Sequence, residues 1–238
     1  MPAEIWKDRD VAKAFLDERS LMIPDLPRQF EVILRVVAFH CPEPRRLLDM
    51  GAGDAILLAT LLESFPRAGG VAVDFSPLML EQASRRLEKF GQRAAVLEAD
   101  LLNSTWKNVL AGPFDVIVSS FAIHHLPDDR KRALYQEIHD LLTAGGVFLN
   151  SEHVASTSPN GEQMFVDAMT THLYQGRKDK GEDVTLEQVR QDFVAPPDRA
   201  ANILALVEVQ CRWLREIGFR DVDCFWKYFE LAIFGGKK

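Results

Sequence analysis

Arg46-Leu47-Leu48-Asp49-Met50 runs into Gly51-Ala52-Gly53-Asp54-Ala55 and then into Ile56-Leu57-Leu58-Ala59-Thr60-Leu61-Leu62. The first five residues read as a short buried strand, and the last seven as a helix with Leu57, Leu58, Leu61 and Leu62 on its core face. The glycines make the turn between them, and Asp54 is expected to cap the helix. Strand, glycine turn and helix in this order bring main-chain N–H groups and a helix terminus to a ligand. A dinucleotide-binding turn needs a third glycine to let a pyrophosphate approach, and that position is Ile56 here. The branched side chain argues against a pyrophosphate and so against a nicotinamide oxidoreductase.

Working outward, short β-branched runs alternate with helical stretches, the pattern of a parallel sheet with crossover helices. Gly70–Asp74 reads as a second strand, with Ser76 as N-cap and Pro77 at the first position of a helix that Gly91 stops. A third strand, Ala94–Ala99, leads to Asp100. The fourth, Phe114–Ser119, is apolar enough to be buried on both faces. A helix opening at Pro127-Asp128 has Leu134, Ile138, Leu141 and Leu142 inward and ends at Gly145-Gly146, before a fifth strand, Val147–Ser151. A last helix, from about residue 201 to Ile217, precedes two strands, Val222–Trp226 and Phe229–Phe234. Their connection is so short that they must be antiparallel.

The expectation is a single α/β domain over 1–238: a doubly wound, mostly parallel sheet with an antiparallel C-terminal hairpin. Within it, 1–44 form a helical cap broken at Pro24, Pro27, Pro42 and Pro44, 45–154 the ligand-binding core, and 201–238 the final helix and hairpin. Residues 155–200 are polar and interrupted by Pro159, Gly161, Gly176, Gly181, Pro196 and Pro197. A break of that length in a compact domain reads as a lid, a substrate-covering insertion or a mobile segment.

The 238 residues suit one domain, and the hydrophobic fraction of 47% with 26% charged residues is ordinary for a globular chain. A net charge of −7 works against the electrostatic attraction that dominates nucleic-acid binding. Three unpatterned cysteines (Cys41, Cys211, Cys224) suggest a reducing compartment. With a polar start and no apolar run of spanning length, a cytoplasmic location away from membranes is expected.

Five segments together resemble the motifs of the class I S-adenosylmethionine-dependent methyltransferases: Asp49 to Ala55 (with Ala55 in place of a third motif glycine), Val73-Asp74-Phe75-Ser76, Glu98 to Leu102, Phe114 to Leu126, and Leu142 to Phe148. The resemblance implies a seven-stranded Rossmann-like sheet that binds S-adenosyl-L-methionine and releases S-adenosyl-L-homocysteine. It implies cofactor contacts from Asp49, Gly51, Ala52, Gly53, Asp74, Phe75, Met79, Asp100, Leu101 and Ser119. Asp74, 25 positions after Asp49, would take the ribose hydroxyls, which a carboxylate does better than a neutral group. Asp100 and Leu101 would take the adenine.

Methyl transfer is an in-line displacement that also removes a proton from most oxygen and nitrogen acceptors. Strand-end position makes His124, Glu152 and His153 the candidates for contact with the acceptor, and His125 a structural histidine. These four side chains lack metal-ligand spacing, so no metal is expected. Arg28, Arg177 and Lys178 are noted as charges able to meet an anionic acceptor. The partner is expected to be a small molecule with an oxygen, nitrogen, carbon or sulfur nucleophile. The chain itself is a monomer or a homodimer, which the sequence does not distinguish. The alternative is a non-catalytic regulatory protein that only binds the cofactor.

Overall fold

The computed structural model describes residues 2–195 and 201–238; Pro196 and Pro197 of the polar stretch lie outside them. Seven strands form one sheet in the order β3-β2-β1-β4-β5-β7-β6. They are β1 (Arg46–Met50), β2 (Gly69–Asp74), β3 (Ala94–Glu98), β4 (Phe114–Ser120), β5 (Leu142–His153), β6 (Arg220–Tyr228) and β7 (Leu231–Lys237). The first five are parallel; β7 runs antiparallel to β5, and β6 pairs antiparallel with β7 at the edge. Strand order reverses between β1 and β4, and a doubly wound sheet opens its ligand crevice at such a switch point.

Side-chain alternation sends β1 to two cores. Leu48 and Met50 join one apolar cluster under α5 (Asp128–Leu141) and α8 (Val207–Ile217). Leu47 joins the other, under α2 (Leu26–His40), α3 (Ile56–Ser64) and α4 (Pro77–Leu87). Strand residues such as Leu48, Ile117 and Phe148 are fully buried, each contributing roughly 1.5–3 kcal/mol of burial free energy.

The structure departs from the sequence reading in four places that matter for the site. Most of residues 159–194 is helical rather than irregular: α6 spans Pro159–Asp179 and α7 spans Leu186–Val194. Gly176 is no helix breaker, because a Cβ there would stand 2.3 Å from Leu21 Cδ2 of α1 (Arg9–Met22), and its absence lets the two helices meet. Pro27 also does not interrupt, since it sits in the first turn of α2, where its missing N–H costs nothing. Asp54 does not cap α3: Ala55 holds the N-cap position in a left-handed conformation (φ 57°), and Asp54 turns away to Arg19 and Arg86. Finally, Glu230 is not within a strand; Phe229 and Glu230 form the two-residue turn between β6 and β7. No helix among the described residues is long and apolar enough to cross a membrane.

Candidate active site

A cavity opens at the carboxyl ends of β1, β2, β4 and β5 and is roofed by α1, α6 and α7. Its floor is the glycine turn. Gly51 has φ +60°, and a Cβ there would lie 2.2 Å from the Cβ of Ala122, so only glycine allows the loops after β1 and β4 to touch. Gly53 (φ +55°) faces the cavity with Met79 Sδ 3.8 Å from where its Cβ would be, leaving a flat cradle. Ile56, at the position of the third glycine in a dinucleotide-binding turn, lines the same cavity.

Asp74 sits at the cavity wall with only 8% exposure. Its two carboxylate oxygens accept the main-chain N–H groups of Gly53 (2.8 Å) and Ser76 (2.9 Å). Burial pushes its pKa up, and those N–H groups together with that of Phe75 oppose the rise. Each oxygen keeps a lone pair for a further donor, as ribose hydroxyls would supply. Beside it the buried Ser76 Oγ has no hydrogen-bond partner, an unsatisfied polar atom that a polar ligand can satisfy. Asp100 lines the cavity at the end of the neighbouring strand β3, its carboxylate accepting the Leu102 N–H at 2.9 Å and the Asn103 side-chain amide at 3.1 Å. Phe75, Met79 and Leu101 line the apolar slot between the two acids. This donor and acceptor set fits a nucleoside without phosphate.

Two residues expected to contact a cofactor do not line the cavity. Asp49 points to the opposite face of β1, where Oδ2 accepts the Leu58 N–H at 3.1 Å and so pins the start of α3. Burial raises its pKa to about 8, against the lowering effect of that N–H. Ser119 is also buried, donating its hydroxyl to the Met50 carbonyl at 2.8 Å and tying β4 to β1. Its neighbour Ser120 faces the cavity instead.

The far half of the cavity holds the histidines. His124 Nδ1 lies 2.5 Å from Glu152 Oε1. Glu152 also accepts the His153 main-chain N–H (3.0 Å) and the Asn150 side-chain amide (3.2 Å), so only donors converge on it. Burial alone lifts its pKa to about 7, and the same burial, aided by His153 and Lys131, drives that of His124 well down. Burial thus keeps the ring neutral, and with Glu152 ionised Nδ1–H is donated to it, which leaves a lone pair on Nε2. His124 and His153 line the cavity; Glu152 stands behind them.

His125 is used on both nitrogens: Nε2 accepts the Trp6 indole N–H at 3.0 Å, and Nδ1 faces the Ala201 carbonyl at 3.4 Å. Burial lowers its pKa to about 3. Of the basic residues noted in the sequence, Arg28 pairs with Glu31 and Arg177 with Asp192, and neither they nor Lys178 line the cavity.

Sequence reasoning expects the N-terminal helices and the 155–200 stretch to cover the pocket but does not single out the residues that do so. Trp6, Phe15, Arg19, Met22 and Ile23 come from the N-terminal segment, and Phe165, Met169 and Phe193 from α6 and α7. Arg19 pairs with Asp54, which Arg86 also holds at 2.5 Å, so the glycine turn is clamped to α1. Among the described residues no group of acidic, histidine and cysteine side chains is arranged to hold a metal ion.

Comparison with known proteins agrees with this geometry. Residues 48–148 match the family described as "Methyltransferase domain". A carboxy-S-adenosyl-L-methionine synthase from Nitratiruptor sp. is 23% identical over 95% of this chain and 90% of its own length. A demethylmenaquinone methyltransferase from Thermus thermophilus is 34% identical, over 43% of this chain and 44% of its own. Among solved structures, an O-methyltransferase family protein from Burkholderia thailandensis superposes with a TM-score of 0.63 at 17% identity. PigF, solved with S-adenosylhomocysteine, gives 0.64 at 17%. This chain covers 56% of the former and 62% of the latter, while 89% and 100% of this chain are matched.

Proposed function

We propose, from the premise that the chain is a class I S-adenosylmethionine-dependent methyltransferase, that it methylates a hydroxyl group on a small, mainly apolar molecule. The observation that carries the reading is the His124–Glu152 pair, with the His124 ring on the wall of the same cavity that Asp74 and Asp100 line. Asp74 and Ser76 suit the ribose, and Asp100 with Leu101 the adenine. Asp49 and Ser119 act from behind by holding the loop that bears Gly51, Ala52 and Gly53.

When bound, S-adenosylmethionine supplies an electrophilic methyl group on a positively charged sulfur. The chain's contribution is to hold the acceptor oxygen in line and to take its proton. His124 Nε2 receives that proton, and Glu152 stabilises the charge that then develops on the ring. Phe30, Phe121, Phe165 and Met169 surround the acceptor with apolar surface and exclude water, which strengthens every polar contact inside. Residues 155–195, with α6 and α7, serve as the acceptor-covering part of the single domain.

The curated relatives suggest a second reading, formation of carboxy-S-adenosylmethionine, since their match spans nearly the whole chain. A carboxylated co-substrate would call for an uncommitted cation. Arg19 is the one arginine or lysine lining the cavity among the described residues, and it is paired with Asp54. That pairing favours a neutral acceptor. The test is turnover of a hydroxylated acceptor panel by wild type and His124→Ala. The expected result is a ~10²–10⁴-fold loss of turnover with S-adenosylhomocysteine affinity within about threefold of wild type. Unchanged turnover in the variant would remove His124 from the chemistry.

A further inference from the structure

A two-residue hairpin turn normally faces solvent and is filled by Asn, Asp or Gly. At the tip of the β6–β7 hairpin stand Phe229 and Glu230 instead. Phe229 adopts a positive φ of 49°, strained for a bulky residue, and Glu230 is only 2% exposed. The Glu230 carbonyl accepts the Val154 N–H at 2.7 Å, locking the tip against the end of β5. Its carboxylate takes Ser156 Oγ at 2.5 Å on one oxygen and His153 Nε2 at 3.0 Å on the other. A carboxylate only accepts, so His153 donates Nε2–H and keeps a lone pair on Nδ1, with the Asn202 amide 3.5 Å away.

His153 therefore repeats, one strand end further along, the arrangement of His124. Each ring is fixed by its own buried carboxylate, and the ring centres are 5.9 Å apart on the same cavity wall; the second nitrogen of His153 has only the long 3.5 Å contact from the Asn202 amide, which an acceptor hydroxyl can displace. His153 also forms part of a second, polar cavity shared with Ser156, Thr157, Glu162 and Asn202, so it is a partition between two cavities rather than a core histidine. One histidine suffices to take a proton; a second of the same build suits a second oxygen.

We propose that the acceptor carries two neighbouring oxygen substituents on an aromatic or otherwise apolar body, and that Glu230 sets this specificity by positioning His153. The inference rests on the methyl-acceptor reading above and deepens it. One acceptor oxygen forms the bond to the methyl carbon as the carbon–sulfur bond breaks. The sulfur keeps that electron pair, and the oxygen's proton passes to His124. The second oxygen keeps its proton and donates it as a hydrogen bond to His153 Nδ1. The charged and titratable groups around His153 are Glu230 from the hairpin, Glu152 from β5, His124 and His125 from the loop after β4, and Glu162 from α6.

The experiment compares methylcatechol with the matching cresol on protein saturated with S-adenosylhomocysteine, measuring affinity by calorimetry, and then methyl transfer to each with S-adenosylmethionine. In wild type the diol should bind about tenfold more tightly, the worth of one extra hydrogen bond to an ordered group. In Glu230→Gln the advantage should fall to about twofold or less, with S-adenosylhomocysteine affinity and melting temperature unchanged, and Glu230→Asp should restore part of it. Equal binding of the two probes by wild type overturns the inference. So does an advantage that survives in Glu230→Gln, or one lost only together with cofactor affinity. A diol preference that follows Glu230 without methyl transfer to either probe contradicts the methyl-acceptor reading instead.

Discussion

The two halves of the cavity are built on different principles. On the nucleoside side, the two acids are fixed within a loop at one strand end or between adjacent strand ends, with Arg19 and Arg86 holding Asp54 from outside. Asp74 is fixed by the N–H groups of Gly53 and Ser76, and Asp100 by that of Leu102. On the acceptor side, the fixing partners are distant in sequence: His124 with Glu152, His153 with Glu230, His125 with Trp6. The apolar lining there comes from α1, α2, α6 and α7. A local, main-chain-held half tolerates little change and recognises one ligand. A half assembled from side chains of several elements can be re-lined without disturbing the sheet. One scaffold thereby keeps its cofactor while its acceptor varies.

Substitutions at matched depth in the two halves sharpen or break that contrast. The largest effect is expected for Gly51→Ala, whose new methyl group overlaps Ala122 at a positive φ. S-adenosylhomocysteine affinity should fall by about 100-fold or more, read by calorimetry, since strain of this kind costs on the order of 1–3 kcal/mol before the loop shift is counted. Retention of affinity within threefold would show that the loop is not held as described. Met169→Ala is the acceptor-side counterpart. It should raise the acceptor KM several-fold while leaving cofactor affinity alone, and a parallel loss of both would mean that the halves are not separable.

The smallest expected effect concerns Asp49 and is read as a function of pH. Its carboxyl group is raised by burial to about 8 in the folded chain, from an ordinary value of 3.8. Between those values the folded state holds a proton that the unfolded state has lost, so this group's contribution falls as pH rises from about 4 through about 8. Asp49→Asn lacks that slope. Urea midpoints at about pH 5 and about pH 8 should therefore show wild type losing ground to the variant as pH rises. A gap that stays constant or moves the other way would contradict the assignment.

The same contrast governs what could be read from the sequence. The strand segments and the hairpin follow from short-range signals such as a glycine turn, strand ends and an N-cap serine before Pro77, and the resemblance to the methyltransferase motifs adds the acids Asp74 and Asp100. The roles of Arg19 and Trp6 do not, because nothing local marks a residue that meets its partner more than 30 positions away. Glu230 was obscured for a different reason: without glycine or asparagine to mark the turn, it reads at Lys227-Tyr228, two residues early, which puts Glu230 inside the second strand. The glycines of α6 misled in the opposite sense, since Gly176 serves helix packing against Leu21 and not chain reversal. Ser119 and Asp49 lie on the expected strands, but their side chains bond to backbone of neighbouring elements and do not line the cavity where cofactor contacts are expected.

The most direct check on the central claim, a nucleoside cofactor held across β1 and β2 by the Asp74 carboxylate, is calorimetric titration of folded wild type and Asp74→Asn with S-adenosylhomocysteine. The account predicts one equivalent bound by wild type and affinity weakened by about 10- to 100-fold in the variant, the cost of losing charge-assisted hydrogen bonds. No heat from folded wild type, or the same affinity in both proteins, would contradict it.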